Sequence, residues 1–208
     1  NDEYALKNEN SFGKTEMWYV LEAEEGSGLY VGLKEDSSRK EIEEALKNGT
    51  ILSKLNFFPV KKGEVYFIQS GTIHAIGKGV TVIEIQQNSN LTYRLYDYNR
   101  LGKDGKPREL HIEKALNVIN YHKYSPVHFD NDIIGTCKYF TSRYQKVDHT
   151  IELEAPSTSF LSLTFLDGEG MINDLPYKKF DTFFLPSTKK ATIKGTGSYI
   201  ITSIDHRY

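Results

Sequence analysis

The chain has 208 residues, 38% of them hydrophobic and 26% charged, with a formal net charge of −2. That length suffices for one large domain or two small ones, and the small net charge does not suit a polyanionic partner such as a nucleic acid. No apolar run approaches the roughly 20 residues needed to cross a bilayer, so no membrane partner is expected. The acidic start Asn1-Asp2-Glu3-Tyr4 is unlike a secretory signal. Cys137 is the single cysteine, which leaves no internal disulfide and no thiolate metal cluster. A reduced, cytoplasmic setting is expected.

Residues 16–21 (EMWYVL) form an aromatic and aliphatic run, which predicts a buried strand. Residues 28–33 (GLYVGL) predict a second, weakened by two glycines. A helix follows, because Ser38 and Glu41 make a capping box, Ile42, Ala45 and Leu46 recur at helical spacing, and Gly49 stops it. Leu52, Leu55, Phe57 and Phe58 precede a break at Pro59. Lys61-Lys62-Gly63 is a turn, residues 64–69 a strand, Ser70-Gly71-Thr72 a tight connection and residues 81–86 an alternating strand. Residues 91–98 read as a further aromatic strand, residues 101–108 as a polar loop and residues 110–119 as a helix. Beyond Tyr121, short strands are expected over residues 137–144, 148–153, 159–166, 170–172, 182–185 and 198–203, at the spacing of a sandwich or barrel. The character changes near Ser125-Pro126. The expected domains are therefore residues 1–125, with a helical insert near 38–48 and a helix near 110–120, and residues 126–208.

Two stretches look alike. Residues 61–74 read KKGEVYFIQSGTIH and residues 178–191 read KKFDTFFLPSTKKA. Aligned without gaps, Glu64 meets Asp181, Tyr66 meets Phe183, Phe67 meets Phe184, Ile68 meets Leu185 and Ser70 meets Ser187. Each copy reads as a turn, a strand and a tight bend, which suggests two similar β-barrels. The first copy ends in His74 and the second in Ala191. If His74 binds a metal, the second barrel is structural.

Gly63-x5-Gln69-x-Gly71-x2-His74 is similar to the second cupin motif, G-x5-P-x-G-x2-H. Gln69 stands at the proline position, and Lys78 replaces the motif's later Asn, while the second copy keeps the proline as Pro186. The glycine bend turns the chain, and the histidine would start the next strand facing the barrel interior, where neutral imidazole suits a divalent transition metal. Taken alone, a strand histidine is more often a satisfied core residue. Residues 12–19 (FGKTEMWY) add a G-K-x-E-x-W segment. Val82-x-Glu84-x-Gln86-Gln87-Asn88-Ser89 and Thr92-Tyr93-Arg94-x-Tyr96-Asp97 follow in order. With these segments the chain resembles the bacterial, shorter form of the type I mannose-6-phosphate isomerase family, over nearly its whole length and most strongly over residues 2–120.

The resemblance implies a mainly β fold of two cupin-like jelly-roll β-barrels with a few short helices. The first would be catalytic and incomplete at its N-terminus, the second degenerate. Glu16 and His74 match metal ligands, Lys14 a lysine lining the substrate site, Arg94 a catalytic arginine and Glu84 an acidic residue close to the metal centre. Lys14 and Glu16 stand two apart, so on a strand both face one side. The flanking Ile83 and Ile85 argue against a plain surface carboxylate at Glu84. The implied cofactor is Zn2+, one per chain in the full-length protein. The family takes further ligands from a Q-x-H-P segment leading into an N/D-D-E-x-A stretch. Asn1-Asp2-Glu3-Tyr4-Ala5 matches the tail of that stretch, so the resemblance puts those ligands before residue 1, and weak or absent metal binding is expected of the chain alone.

The implied reaction interconverts mannose 6-phosphate and fructose 6-phosphate through an enediol, with a small-molecule sugar phosphate as partner. Arg94 and Lys14 are the candidates for stabilising the enediolate or recognising phosphate. The proton-transfer base stays open between Lys14, Glu84 and a water on the metal. Three other readings compete. A different metal-dependent cupin such as an oxygenase would need an H-x-H pair, which the sequence lacks. A non-catalytic sugar-binding cupin would stack sugars on Trp18, Tyr93 and Tyr96. A structural β-sandwich would need no such site. In the plainest reading, Arg94 pairs with Asp97 or Glu84, and Arg100, Lys106 and Arg108 are solvated loop cations. His111, His122, His128, His149 and His206 read as ordinary surface or interface residues. The sequence does not specify an oligomeric state.

Overall fold

The structure, a computed structural model, describes residues 1–98, 100–102 and 104–204. His206 lies outside the described residues. Two compact units divide the chain, Asn1–Val127 and His128–Tyr208. Among the described residues no helix is long and apolar enough to cross a membrane.

The first unit runs α1 (Asp2–Glu9), β1 (Glu16–Ala23), β2 (Gly28–Leu33), α2 (Arg39–Lys47), α3 (Ile51–Lys54), β3 (Leu55–Pro59), β4 (Val65–Ile68), β5 (His74–Ile76), β6 (Val80–Gln86) and α4 (Ile112–Leu116). Two three-stranded antiparallel sheets form, ordered β4-β1-β6 and β3-β2-β5. Trp18 and Val20 of β1, Leu29 and Val31 of β2, Val60 and Ile68 share one buried apolar cluster, so the sheets pack face to face. Each such side chain removed from water contributes about 1.5–3 kcal/mol.

This packing settles where the polar residues point. Side chains alternate along a strand, so Glu16 shares the inner face of β1 with Trp18 and Val20. On the opposing sheet Val31 pairs with His74 across β2 and β5, which puts the imidazole on the face of the inward Val31. A carboxylate and an imidazole thereby face each other between two sheets.

The capping box predicted for α2 forms, with Ser38 Oγ accepting from Glu41 N at 3.3 Å and Glu41 Oε2 accepting from Ser38 N at 2.7 Å. Its Ile42 and Ala45 pack against Leu33, Ile51, Leu55 and Leu116. The helix expected over residues 110–119 shortens to the five residues of α4. The strand expected over residues 91–98 does not form. Its main chain is bonded elsewhere: His111 N donates to Arg94 O at 2.7 Å, and Arg94 N donates to His111 Nδ1 at 3.1 Å. Tyr98 turns the chain with φ of 54°. Aromatic alternation favours a strand only where a sheet edge stands ready to pair it.

The second unit runs β7 (Ile133–Thr136), β8 (Thr141–Val147), β9 (Ile151–Glu154), β10 (Leu161–Ile172), β11 (Leu175–Lys178), β12 (Thr182–Leu185) and β13 (Lys190–Ser203). The strands expected over 159–166 and 170–172 are one strand, β10, lying along β13. Gly168 and Gly170 face Gly197 and Gly195, and a Cβ at Gly168 would sit 1.9 Å from Thr196 O. Glycine here permits close strand approach instead of ending a strand. β12 pairs the first part of β10 and β11 its last part, while β9 and β8 divide β13 likewise. The sheet thus doubles over a core that includes Leu163, Phe165, Ile193 and Ile201. Among the described residues, each unit is built from open sheets packed on a core, with no closed ring of strands.

The repeated motif carries into the backbone. Gly63 and Phe180 stand at matched positions with φ of 91° and 74°, and Gly71 and Thr188 with φ of 92° and 64°. Left-handed backbone is natural for glycine and strained for the phenylalanine and threonine of the second copy.

Candidate active site

Lys14 lies just ahead of β1, on the same side as Glu16. Its Nζ donates to Glu16 Oε2 at 2.6 Å and to Glu84 Oε1 at 3.0 Å. Burial works against the ammonium charge, but the Glu16 and Glu84 carboxylates outweigh it and raise Lys14 above the usual lysine range. Lys14 is therefore a poor base and a firm source of positive charge. Glu84 also accepts from Trp18 Nε1 at 3.0 Å, so both of its oxygens are engaged. Glu84 is not among the cavity-lining residues. It stands behind Lys14 and Trp18 and positions both.

Glu16 is fully buried, at 0% exposure. Burial pushes its carboxyl up, but the adjacent His74 ring and Lys14 together hold it down at about 2. His74 Nδ1 stands 2.7 Å from Thr72 O. A carbonyl oxygen only accepts, so Nδ1 carries a hydrogen and Nε2 is the ring nitrogen left to meet Glu16. That Nε2 lies 2.9 Å from Glu16 Oε1. The approach is not a directed hydrogen bond, and Glu16 Oε1 is buried with no donor aligned on it. An unprotonated Nε2 this close to a carboxylate oxygen is repelled by it, and either a cation bound by both atoms or a second proton on the ring relieves that repulsion. Carboxylate oxygen and imidazole nitrogen are a fitting donor pair for a divalent transition metal, and the Thr72 carbonyl fixes the His74 ring as it would have to be fixed in such a pair. Trp18 packs edge-on against the His74 ring at 5.2 Å, which fixes its plane. Among the described residues no three His, Cys, Asp or Glu side chains converge, so Glu16 and His74 are two donors of any larger set.

The bend before His74 is docked on the segment after α4. Asn120 N donates to Gly71 O at 2.8 Å, and a Cβ at Gly71 would stand 2.6 Å from Val118 O. With φ of 92° as well, no other residue fits without movement. Gly71→Ala is expected to lower stability by about 1–3 kcal/mol and to loosen metal affinity by moving His74. Thermal unfolding checks the first effect, and an unchanged Tm would contradict it.

Lys14, Glu16, Trp18 and His74 line one cavity of about 510 Å3, and Arg94, Tyr96, Asp97, Arg100 and Arg108 line it as well. Arg94 Nη1 donates to Glu109 O at 3.0 Å, and among the described residues Arg94 makes no ion pair. The pairing with Asp97 or Glu84 considered from sequence does not occur, since Lys14 holds Glu84 and Arg100 and Arg108 hold Asp97. Arg100 and Arg108 are exposed loop cations as read from the sequence, their side chains 61% and 41% exposed, and both also pair with Asp97. His111, read as an ordinary surface residue, instead fixes the Arg94 main chain from both sides. Nothing in its spacing signalled this, because one contact joins two main chains and the other joins the His111 ring to the Arg94 main chain.

No protein-family model matches the chain. The mannose-6-phosphate isomerase of Streptococcus mutans serotype c is 32% identical over 200 residues, covering 90% of this chain and 63% of that protein. YvyI of Bacillus subtilis strain 168, provisionally named for the same activity, is 36% identical over 219 residues, covering 98% of this chain and 69% of its own length. Against relatives such as the first, the chain spans less than two thirds of the full length. A crystal structure of mannose 6-phosphate isomerase from Bacillus subtilis, 33% identical, superposes with a TM-score of 0.87 over 97% of this chain and 68% of that one. The mainly β, cupin-type fold expected from the sequence is the fold of that structure. A mannose 6-phosphate isomerase solved with zinc and yttrium bound shares the fold at 14% identity and a TM-score of 0.64, over 91% of this chain and 66% of that one.

Proposed function

The chain belongs to the mannose-6-phosphate isomerase family, and from that premise we propose that it carries the cavity in which mannose 6-phosphate and fructose 6-phosphate interconvert. The observation that supports this is the convergence of Lys14, Glu16 and His74 on one cavity, with Arg94, which makes no ion pair among the described residues, in its wall. A small-molecule sugar phosphate fits a cavity of about 510 Å3.

Glu16 and His74 would hold a divalent ion, zinc by the family resemblance and by the donor types. When bound, that ion supplies Lewis acidity toward the sugar oxygens. The remaining work falls to side chains. Aldose–ketose isomerisation removes a proton from C2 of mannose 6-phosphate and returns one to C1, so negative charge builds on the oxygens of an enediol. Lys14 stays an ammonium and stabilises that charge, with Glu84 holding it in place. Arg94 presents a guanidinium that no carboxylate among the described residues pairs, and it serves the same oxyanion from the cavity wall. Trp18 closes the cavity beside His74 and excludes water. The single cysteine, Cys137, fits a reducing, cytoplasmic setting.

The test is proton exchange. Zinc-supplemented protein incubated with mannose 6-phosphate in deuterium oxide should place deuterium at C2 of mannose 6-phosphate and C1 of fructose 6-phosphate, read by NMR. Sugar phosphate that binds to protein shown by metal analysis to hold zinc, and acquires no deuterium, would overturn the isomerase reading.

A further inference from the structure

Asp97 is a buried carboxylate in the cavity wall, its side chain 7% exposed, and two arginines converge on it. Arg108 Nε donates to Oδ2 at 2.7 Å, Arg108 Nη2 donates to Oδ1, and Arg100 Nη2 donates to Oδ1 at 2.7 Å. The Arg108 hydrogen bonds first, then Arg100, hold the Asp97 carboxyl well below the usual carboxylate range. Residues Leu101 and Pro107 form a bridge, and Gly102 N donates to Lys106 O at 2.7 Å, so a closed loop sets Arg100 and Arg108 side by side. The fork on Asp97 fixes the Arg108 plane, while among the described residues its Nη1 has no partner.

Charge divides the cavity. Around Asp97 the two guanidiniums of Arg100 and Arg108 outnumber the one carboxylate, whereas Lys14 is balanced by Glu16 and Glu84. A hexose 6-phosphate has the same polarity, with a dianion at one end and the reacting C1 and C2 at the other. We propose that Arg108, with Arg100 beside it, binds the phosphate group of the sugar phosphate, and that Asp97 is the positioning residue that holds both arginines ready. This rests on the isomerase reading for the substrate but not for the anion site. Planar guanidinium donors match phosphate oxygens pairwise, and a cation already locked by a buried carboxylate loses little freedom on binding.

The experiment titrates the wild-type chain, Arg108→Gln, Arg108→Lys and Asp97→Asn with inorganic phosphate, mannose 6-phosphate and unphosphorylated mannose by calorimetry. Circular dichroism and Tm establish that each variant is folded. Arg108→Gln should weaken phosphate and mannose 6-phosphate by roughly tenfold to a hundredfold and leave mannose unaffected. Arg108→Lys should recover part of the loss, and Asp97→Asn should also weaken both phosphate ligands. In turnover the loss should fall on KM more than on kcat. Unchanged phosphate affinity in folded Arg108→Gln overturns the proposal, including the case where only Tm falls, and so does a wild-type chain that binds no phosphate. Loss of phosphate affinity without any turnover would leave the anion site standing and remove the isomerase reading, and normal turnover with unchanged phosphate affinity would do the reverse.

Discussion

Glu16→Gln should abolish metal uptake at the cavity and cut turnover of mannose 6-phosphate about a thousandfold. Glutamine keeps the shape but removes the charge, and its amide offers only one neutral oxygen. Lewis-acid stabilisation is worth several kcal/mol, and at 1.36 kcal/mol per tenfold about three powers of ten follow. Folding should survive, because Lys14 retains Glu84 and the inner face of β1 keeps Trp18 and Val20. Zinc titration followed calorimetrically, together with metal analysis of the dialysed protein, reads the effect apart from activity. A variant that binds zinc like the wild type would show that the buried carboxylate is only a structural partner of Lys14 and His74.

Arg94→Ala should lower kcat by about a hundredfold to a thousandfold, the size measured for loss of one preorganised oxyanion donor. The change should be small in Tm, since the guanidinium is half-buried and it donates to a loop carbonyl, Glu109 O. KM should move less than kcat, because the phosphate is held elsewhere, by Arg108. Arg94→Lys should restore little, since a point charge does not reproduce a planar fork. Steady-state kinetics on folded protein decide the matter, and full turnover in Arg94→Ala would remove the arginine from the mechanism.

Much of the site was legible before any coordinates. Glu16, His74, Lys14 and Arg94 were singled out as candidates by the resemblance of ordered motifs, and the two-residue spacing of Lys14 and Glu16 put them on one side. The partners of these groups were not legible. That Glu84 backs Lys14, that Thr72 O sets the His74 tautomer and that His111 grips the Arg94 main chain all depend on contacts across strands and loops. Arg108 looked like a solvated cation because a loop sequence carries no sign of the buried carboxylate that captures it. The same limit explains residues 91–98, whose aromatic alternation promised a strand that no sheet edge was present to pair, and β10, where glycines that punctuate a sequence instead allow two strands to touch.

Local chemistry along the chain determined the strands of the first unit, the capped helix α2 and the repeated turn, strand and bend, because hydrophobic period, capping groups and turn glycines act within a few residues. Only the tertiary structure decided which faces meet, since the pairing of Val31 with His74 and the packing of β1 on β2 bring together side chains far apart in sequence. Sheet packing buries Glu16 and brings the partly exposed His74 against it, and the proposed cation site rests on that juxtaposition.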